Sequence, residues 1–529
     1  MSTRIVTAAL PFVNSSPHLG NIVGSHLPAD IFARYSRMKG HRVIFVGGTD
    51  EHGTATEFAA QKEGITPREL CDRYYIIHKR LYSDFLISYD NFSRTSREIH
   101  HKLVQEFFLE LYKNGFITEQ EINTPYCNNC KKGLADRYIT GTCPRCGYDK
   151  ANGDQCEACG SVLEPAELLS PHCTTCGSTG ITFKNTNHLF LDLTGVTKDI
   201  ENWIDSNPHL RSQVKSLAKG WLHQGIKKRC ITRDLTWGIK VPLRGYEGKV
   251  FYVWFDNVIG YVSATVELLG DEGLKLWEDK ATETYYFLGK DNIPFHTIFW
   301  PGQILGQGKL VLPTNVVGLQ YMNFEKQKFS KSKGVGISAD KAISSNIPVE
   351  YWRFYLTYIL PETKDSEFIV DEFFERVNKE LIGNYGNFVN RVLDFVYNKF
   401  NGRVPEVSTK DSTLEKAILD SIYKIDSYYD SCELRFALYE LLKLSDLGNR
   451  YLNEKEPWKS GKTDALNYCL EIIRLLAIYF EPILPQSSQR VFMFLNTDNR
   501  KIEIDTSAKA INKPEILFRK LEEREKEQI

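Results

Sequence analysis

Eight of the twelve cysteines in this 529-residue chain fall into four C-x-x-C pairs within fifty consecutive residues. A tetrahedral zinc ion needs four thiolates that converge on one point, and two C-x-x-C turns supply that geometry without a large hydrophobic core. Redox C-x-x-C motifs do not come in fours, and a reducing compartment disfavours disulfides. The segment therefore predicts one or two structural zinc sites.

The spacing of the pairs indicates how they combine. Nine residues separate the two middle pairs, a good spacing for a zinc knuckle, and the outer pairs bracket them, which predicts one knuckle nested inside another. The expected ligands of the first zinc are Cys143, Cys146, Cys156 and Cys159, and those of the second are Cys127, Cys130, Cys173 and Cys176. The four isolated cysteines are expected to be inert buried thiols: Cys71, Cys230, Cys432 and Cys469.

The overall composition is that of a globular enzyme, with 42% hydrophobic and 25% charged residues. No apolar stretch approaches the roughly 18 residues that could span a bilayer. The N-terminus runs from Arg4 straight into a strand pattern without a cleavable signal, so we expect a soluble, cytoplasmic protein without a membrane partner. A net charge of −1 offers no bulk attraction to nucleic acid, so any RNA contact must come from local basic and aromatic patches.

Hydrophobic periodicity outlines an α/β chain. The first hundred residues read as strand, helix (about Leu19 to Met38), strand and helix, which predicts a Rossmann-like parallel sheet. Strand-like runs resume at 249–256, 285–291 and 310–318, after the cysteine-rich insertion, and from about Val370 onward the spacing is that of a C-terminal α-helical bundle. The predicted divisions are 1–116 and 231–318 for the two halves of the sheet domain, 117–230 for the insertion, 319–368 for a connecting region and 369–529 for the bundle.

The segment N-S-S-P-H-L-G-N, residues 14–21, stands where the first strand gives way to the first helix. A helix that begins after a strand of a parallel sheet points its unpaired amides and positive dipole end at the ligand crevice, where a phosphate can bind. Pro17 suits a helix start, Gly20 permits close approach, and His18 and Asn21 offer two donors. The alternative is that His18 is only a cap or a packed residue.

A second candidate lies three hundred residues later, in K-F-S-K-S-K-G, residues 328–334. A loop with three lysines, two serines and a terminal glycine can hold a triphosphate through ammonium groups and hydroxyls. The alternative for this run is a solvated basic loop.

Taken together, P-H-L-G-N and K-F-S-K-S resemble the HIGH and KMSKS signatures of class I aminoacyl-tRNA synthetases. The segments A-A-L-P-F-V-N, G-G-T-D-E-H-G-T, V-W-F-D with I-G-Y, and F-L-G-K-D-N-I-P-F-H-T-I-F-W-P are similar to blocks of the methionyl-tRNA synthetase family, in its archaeal and eukaryotic-like form with two zinc knuckles. The resemblance runs from residue 4 to about residue 490. It makes 1–116 and 231–318 the catalytic domain, 319–368 the KMSKS-type loop and stem-contact region, and 369–529 the anticodon-binding domain.

The resemblance implies roles for individual residues. The catalytic residues would be His18, Asn21, Lys328 and Lys331. ATP would be bound by His18, Gly20, Asn21, Lys290, Asp291, Lys328, Ser330, Lys331 and Ser332. Methionine would be bound by Leu10, Asp50, Trp254, Tyr261 and His296, with Asp50 pairing with the substrate ammonium. The anticodon would be read by Asn387, Arg391 and Trp458. Spacing alone favours another interpretation, in which Trp458 caps the bundle core and Asn387 and Arg391 are an ordinary polar surface.

The sequence departs from the family pattern at several of these positions. Asn21 replaces a histidine and Phe329 a methionine in the two signatures. Asn257 and Val258 stand where the family usually has Ala followed by Pro or Thr, and Asn292 stands where an apolar residue is usual. We therefore expect a more polar wall in the methionine pocket.

The implied reaction is the joining of methionine to tRNA. ATP with Mg²⁺ would convert L-methionine to methionyl-adenylate, and the methionyl group would pass to the terminal ribose of tRNA(Met) with release of AMP and diphosphate. Two other interpretations stay open at this stage: another class I synthetase, for cysteine or an aliphatic amino acid, and a non-catalytic zinc-knuckle RNA-binding protein. The sequence does not decide the oligomeric state, for which we expect a monomer, or whether a separate tRNA-binding subunit assists.

Overall fold

The computed structural model describes residues 2–328, 335–461 and 463–529. Its centre is a five-stranded sheet in which every neighbouring pair is parallel. Its strands, numbered along the chain, are β1 (Thr3–Ala8), β2 (Arg42–Thr49), β3 (Asn91–Arg94), β4 (Thr282–Gly289) and β5 (Asn315–Leu319). The spatial order is β5-β4-β1-β2-β3. This confirms the predicted parallel sheet, which the insertion divides between β3 and β4.

The strand order reverses between β1 and β4, where the chain leaves one side of the sheet and returns on the other. In open α/β sheets such a reversal leaves a crevice at the carboxyl ends of the strands, and ligands bind there. Helices cover both faces of the sheet. They are Leu19–Asn21, Leu27–Met38, Thr54–Glu63, Pro67–Asp84, Glu98–Lys113, Val253–Asp256, Gly260–Leu269, Asp271–Glu278, Trp300–Gln307, Ala339–Ser344 and Val349–Tyr358, with π-helical segments Ile22–His26 and Phe295–Phe299 and 3-10 turns Asn257–Ile259 and Lys290–Asn292.

One strand expectation was wrong. Within 249–256 only Val250–Phe251 is a strand, and Val253–Asp256 is a helical turn. Its aromatic and β-branched composition favours a strand, but tertiary packing overrides that preference. Tyr252 donates its backbone N–H to Ile231 O at 2.9 Å, and its carbonyl then accepts from Phe255 N at 2.8 Å, which starts the helical turn.

The insertion is built on a long antiparallel ladder of Ile117–Cys127 with Ile181–Leu191, whose first registered pair is Ile117 with Leu191 and whose last is Cys127 with Ile181. The short strands Lys132–Gly133 and Arg229–Cys230 flank it. A smaller sheet of Ile139–Thr142, Ala151–Asn152 and Leu169–Cys173 ends in Cys173 and has Cys143 directly after its first strand. Two helices, Thr197–Ser206 and Ser212–His223, lead back to the sheet domain. Remaining short elements are the 3-10 turns Asp136–Tyr138, Pro165–Glu167 and Thr194–Val196 and the strand pair Thr232–Arg233 with Val250–Phe251.

The C-terminal region is the predicted helical bundle. A continuous helix of Val370–Arg376, the π-helical Val377–Gly386 and Asn387–Phe400 is followed by Ser412–Asp430, Leu434–Lys455, Pro457–Ser460, Asp464–Phe480 and Pro485–Leu495, then by the 3-10 turn Glu523–Gln528. Short strands are Met322–Phe324, Gln327–Lys328, Ser366–Phe368, Arg403–Val404 and Lys509–Ala510. Among the described residues, no helix combines the length and the apolar character needed to cross a bilayer.

The bundle and the sheet domain share one hydrophobic core, which includes Phe32, Trp352 and Phe480. Fully buried Arg353 ties them together by donating to Asp30 Oδ2 at 2.7 Å, to Ile483 O at 2.8 Å and to Phe85 O at 2.9 Å. A buried guanidinium is tolerated only when its donors are satisfied, so this residue fixes the bundle against the helix Leu27–Met38.

Candidate active site

A cavity of about 550 Å³ opens at the carboxyl ends of the strands, a suitable size for a small molecule. It lies at the reversal of strand order, where Leu10 follows β1, Asp50 follows β2 and Asn292 follows β4. The structure brings together on its wall eight residues that the sequence analysis selected: Leu10, His18, Gly20, Asn21, Asp50, Trp254, Tyr261 and His296.

The start of the first helix is closed by a reciprocal cap. His18 Nδ1 accepts the Asn21 backbone N–H at 3.2 Å, and Asn21 Oδ1 accepts the His18 backbone N–H at 3.0 Å. Because Nδ1 is an acceptor, the proton of the neutral ring lies on Nε2, which is a donor. The engaged amide oxygen likewise leaves the NH₂ group of Asn21 as its donor to a ligand. The cap thus orients two donors at a positive helix end.

The segment after the lysine-rich loop is bound to this helix start. Leu19 donates its backbone N–H to Ile337 O at 3.0 Å, and Ala339 donates to Pro17 O at 2.9 Å. The chain therefore packs against the P-H-L-G-N segment shortly after residues 328–334. Ser330, Lys331 and Ser332 lie outside the described residues, as does the side chain of Lys328.

Asp50 is the charged centre of the cavity wall. It is 1% exposed, its Oδ2 accepts from the Asn257 side-chain amide at 2.8 Å, and its Oδ1 has no hydrogen-bond partner among the described residues. Burial and the nearby Asp256 carboxylate raise the pKa of Asp50 well above its ordinary value, against the lowering effects of the Asn257 side-chain amide and the His52 backbone N–H. A buried carboxylate oxygen without a partner is costly, and a cationic ligand group would satisfy it.

Asp256, in contrast, is held ionised by two imidazoles. Its Oδ2 lies 2.9 Å from His52 Nδ1 and 3.4 Å from His100 Nε2. Burial acts to raise the pKa of Asp256, but the hydrogen bonds from His100 and His52 bring it below the ordinary value. Two neighbouring carboxylates therefore have their pKa values pushed apart, a pattern found at functional sites.

Aromatic rings form the apolar side of the cavity. Trp254 stacks on Phe295 with ring centroids 4.0 Å apart, and Phe12 meets the indole edge-on at 6.3 Å. Tyr261 donates its hydroxyl to His296 Nε2 at 2.9 Å, because the other ring nitrogen donates to Asn292 O at 3.0 Å. Burial lowers the pKa of His296 to about 4, so the ring is neutral at physiological pH.

Three of the five positions that depart from the family pattern, those near the predicted methionine site, fall in this wall or next to a residue that lines it. Asn257 and Asn292 both line the cavity, as expected of a more polar wall. Val258, next to Asn257, is buried at 1% exposure.

Two predicted ATP residues lie beside the cavity and not on its surface. Lys290 pairs with Asp365 at 2.8 Å and lies 4.0 Å from the Tyr321 ring centre, and Asp291 accepts the Tyr321 hydroxyl. Their chain neighbour Asn292 lines the cavity.

Tyr321 and Gln320 follow β5 and line the cavity, although no sequence motif pointed to them. The signal was available, since the residues after each parallel strand reach the same crevice. His26 was also missed: it stacks on Tyr82 at 4.1 Å, and burial together with His78 lowers its pKa to about 3.

The eight paired cysteines form two separate clusters in the nested grouping that the spacing predicted. In each cluster the four ligand atoms lie within 4.8 Å of one another. The Sγ–Sγ distances are 3.6 Å for Cys146 with Cys156 and 3.8 Å for Cys130 with Cys173. A tetrahedron with Zn–S bonds of about 2.3 Å has edges of about 3.8 Å, so both clusters fit zinc. The isolated Cys71, Cys230, Cys432 and Cys469 are buried, as predicted.

The three predicted anticodon residues are on the surface of the bundle. Asn387 begins its helix, Arg391 lies one turn later and donates to Asn453 at 2.9 Å, and both are exposed. Trp458 is 45% exposed in the short helix Pro457–Ser460. The indole is thus accessible from solvent, while part of it remains covered.

Comparisons with known proteins cover the whole of this architecture. Residues 4–393 match the family model of class I tRNA synthetases (M), and residues 403–529 match that of the anticodon binding domain of methionyl tRNA ligase. The chain is 42% identical to the cytoplasmic methionine–tRNA ligase of Caenorhabditis elegans, over 92% of this chain and 55% of that protein. It thus spans about half the length of this relative. It is 41% identical to the methionine–tRNA ligase of Treponema denticola, over 98% of this chain and 68% of that protein. The same identity holds for the ligase of Aeropyrum pernix, over 94% and 89% respectively.

A solved structure has the same fold. Mycobacterium tuberculosis methionyl-tRNA synthetase bound by methionyl-adenylate superposes with a TM-score of 0.79 at 20% identity, covering 98% of this chain and all of that one. The likeness extends across sheet domain, insertion and bundle.

Proposed function

This chain belongs to the methionyl-tRNA synthetase family, and on that premise we propose that it activates methionine with ATP and transfers the methionyl group to tRNA(Met). Family membership makes it a class I aminoacyl-tRNA synthetase. The observation that carries the substrate assignment is the buried Asp50 side chain, which lines an aromatic-sided cavity and whose Oδ1 has no hydrogen-bond partner in the described part of the chain.

Methionine suits both sides of this cavity. Its ammonium group would pair with Asp50, which removes the cost of the orphaned oxygen. Its thioether would lie against Trp254 and Tyr261, where a polarizable sulfur gains from aromatic contact. The neutral His296 fixes the Tyr261 hydroxyl without adding a charge to the thioether side. The related structure, which is bound by methionyl-adenylate, supports methionine activation as the reaction.

ATP would lie with its phosphates at the start of the first helix. His18 Nε2 and the Asn21 amide are the donors that the cap directs there, and Lys328, Ser330, Lys331 and Ser332 are assigned from sequence alone. Methionine's carboxylate is already ionised at neutral pH, so its attack on the α-phosphate needs alignment and charge neutralisation but no general base. Mg²⁺ bound with ATP would neutralise part of the phosphate charge. Lys290 and Asp291, next to the cavity, would flank the nucleotide.

The two cysteine clusters would each hold a structural zinc ion. Four thiolates leave no open position for water or substrate, so these sites order the insertion and take no part in chemistry. The insertion contacts the sheet domain through Tyr138, which donates to Glu57 at 3.1 Å, and through Arg233, which pairs with Asp136 at 3.0 Å. Ordering by zinc therefore also fixes the edge of the catalytic crevice.

The bundle would select tRNA(Met) through its anticodon. Anticodon bases are unstacked, so the exposed Trp458 indole can stack on one while Asn387 and Arg391 bond to base edges. The match of residues 403–529 to the methionyl-type anticodon domain supports methionine over another amino acid. We also propose a cytoplasmic location, in line with the name of the nematode relative. Whether a further tRNA-binding subunit assists has no bearing on the site.

Transfer to tRNA tests this function directly. The purified chain, incubated with ATP, Mg²⁺ and labelled methionine, should charge a tRNA with a CAU anticodon and should charge the same tRNA poorly when one anticodon base is changed. Charging with a different amino acid, or none with methionine, would refute the proposal.

A further inference from the structure

We propose that Asn257 is a positioning residue for the substrate ammonium group: its amide holds one oxygen of the Asp50 carboxylate and so presents the other oxygen to methionine. The inference deepens the proposed function and rests on it. It assigns a purpose to a side chain that departs from the family pattern.

The contact is short and both partners are enclosed. Asn257 Nδ2 donates to Asp50 Oδ2 at 2.8 Å, with the two residues 7% and 1% exposed and both on the cavity wall. The residues are 207 positions apart in sequence, so the bond joins the turn after β2 to the turn after Val253–Asp256.

Both ends of the bond are fixed by their neighbours. Asp50 donates its backbone N–H to Pro11 O at 2.9 Å. On the other side, Asp256 is held by two histidines, and Gly260 packs so closely on Leu10 that a Cβ there would lie 2.7 Å from the leucine Cδ1. A fixed donor on a fixed carboxylate determines which oxygen is left for the ligand.

A neutral donor suits this position better than a cation. Asp50 must keep its full negative charge to bind an ammonium group, although it is buried close to Asp256. An arginine or lysine beside it would neutralise the carboxylate and compete with the substrate. An amide stabilises the ionised form through one hydrogen bond and adds no net charge.

The titratable groups around Asp50 determine how the pH dependence of methionine affinity is interpreted. The titratable groups that face Asp50 are Asp256, Glu51 and Tyr261, with His296 behind Tyr261. The His52 backbone N–H also acts on Asp50, while the His52 ring bonds to Asp256. All of them are unchanged when Asn257 is replaced, so a difference between two variants reports on the lost amide. Because the ionised carboxylate binds the ammonium group, affinity is present above the pKa of Asp50 and is lost as pH falls through it. Removing the donor raises that pKa, and the midpoint moves to higher pH.

The test compares three ligands by calorimetry on the full chain: methionine, methioninol, which keeps the ammonium group but has no carboxylate, and 4-(methylthio)butanoate, which has no ammonium group. Asn257→Ala should weaken methionine and methioninol about 10-fold to 100-fold, the usual scale for a hydrogen bond to a charged group. It should change 4-(methylthio)butanoate affinity less than about 3-fold. The affinity midpoint for methionine should shift to higher pH. Asn257→Asp, which keeps the shape and adds a second carboxylate, should weaken both ammonium ligands by more than Asn257→Ala does.

Two results would overturn the inference. One is an Asn257→Ala protein whose methionine affinity and pH midpoint match the unaltered protein. The other is an equal loss for all three ligands, which would make Asn257 an ordinary part of the wall. Failure of the proposed function looks different: the unaltered protein would bind methionine but catalyse no methionine-dependent exchange of pyrophosphate into ATP.

Discussion

Asp50 and Trp458 illustrate two ways of recognising a substrate within one chain. Asp50 is 1% exposed, and its Oδ1 has no hydrogen-bond partner among the described residues. Trp458, in contrast, is 45% exposed just beyond the C-terminal end of the helix Leu434–Lys455. That helix has 22 residues, about 33 Å in length, and begins next to the sheet domain, where the Asn315 side chain of β5 donates to Cys432 Sγ at 3.9 Å. A small ligand can be surrounded, so its site is enclosed and prearranged. A folded RNA can only be approached from outside, so its site must remain on the surface.

Unfolding the insertion should produce the largest difference between the two sites, because it should disable the enclosed methionine site and leave the exposed tRNA site intact. Zinc analysis should give about two ions per chain. Chelation, or Cys143→Ser, should unfold the insertion, since structural zinc contributes about 10 kcal/mol or more in small zinc domains. Exchange activity should fall with it, while tRNA binding by the bundle persists. Full activity in a metal-free preparation would show that the clusters do not need zinc.

Removing the charge of Asp50 is the next largest expected effect. Asp50→Asn keeps the shape of the side chain but leaves the methionine ammonium group without its counterion, which costs about 3 kcal/mol or more, or at least about a 100-fold loss in kcat/KM for methionine. The KM for ATP and the affinity for tRNA should change little. Asp420→Asn, on an exposed position of the bundle, is the matched control and should be neutral within about 0.5 kcal/mol. An Asp50→Asn enzyme with normal methionine kinetics would contradict the assignment of this residue.

The smallest effect is expected at the surface site. Trp458→Ala should weaken tRNA charging by about 1–3 kcal/mol, the contribution of one base stacked on an aromatic ring. Methionine-dependent exchange should stay near normal because the cavity lies about a helix length away. Tyr423→Ala, which removes an aromatic ring that is 77% exposed on another bundle helix, should leave charging unchanged. A parallel loss of charging, exchange and thermal stability would mean that Trp458 supports the fold.

Local sequence patterns predicted some structural features of this molecule better than others. The cysteine pairing followed from spacing because the ligands of each cluster lie close in sequence. The parallel sheet followed from alternating periods, and the helix start at His18 from its place after a strand. The run 249–256 was misread as a strand because Trp254 lines the cavity and Asp256 bonds to two histidines, and composition does not reveal such tertiary contacts.

The residues that form the pocket could not be predicted from any short segment of the sequence. Asp50 and Trp254 were assigned by resemblance, because the sequence around each residue does not indicate that both line the same cavity. The bond from Asn257 to Asp50 spans 207 residues, so the sequence marked Asn257 only as an unusual polar residue. Lys328 and Lys331 remain predictions from their motif.

The central claim is that the enclosed cavity alone recognises methionine, without help from the tRNA surface. Exchange of labelled pyrophosphate into ATP, measured without tRNA for each of the twenty amino acids, tests it most directly. The account predicts exchange with methionine and none above background with the other nineteen. Exchange supported by another amino acid at a comparable rate, or exchange with none, would contradict it.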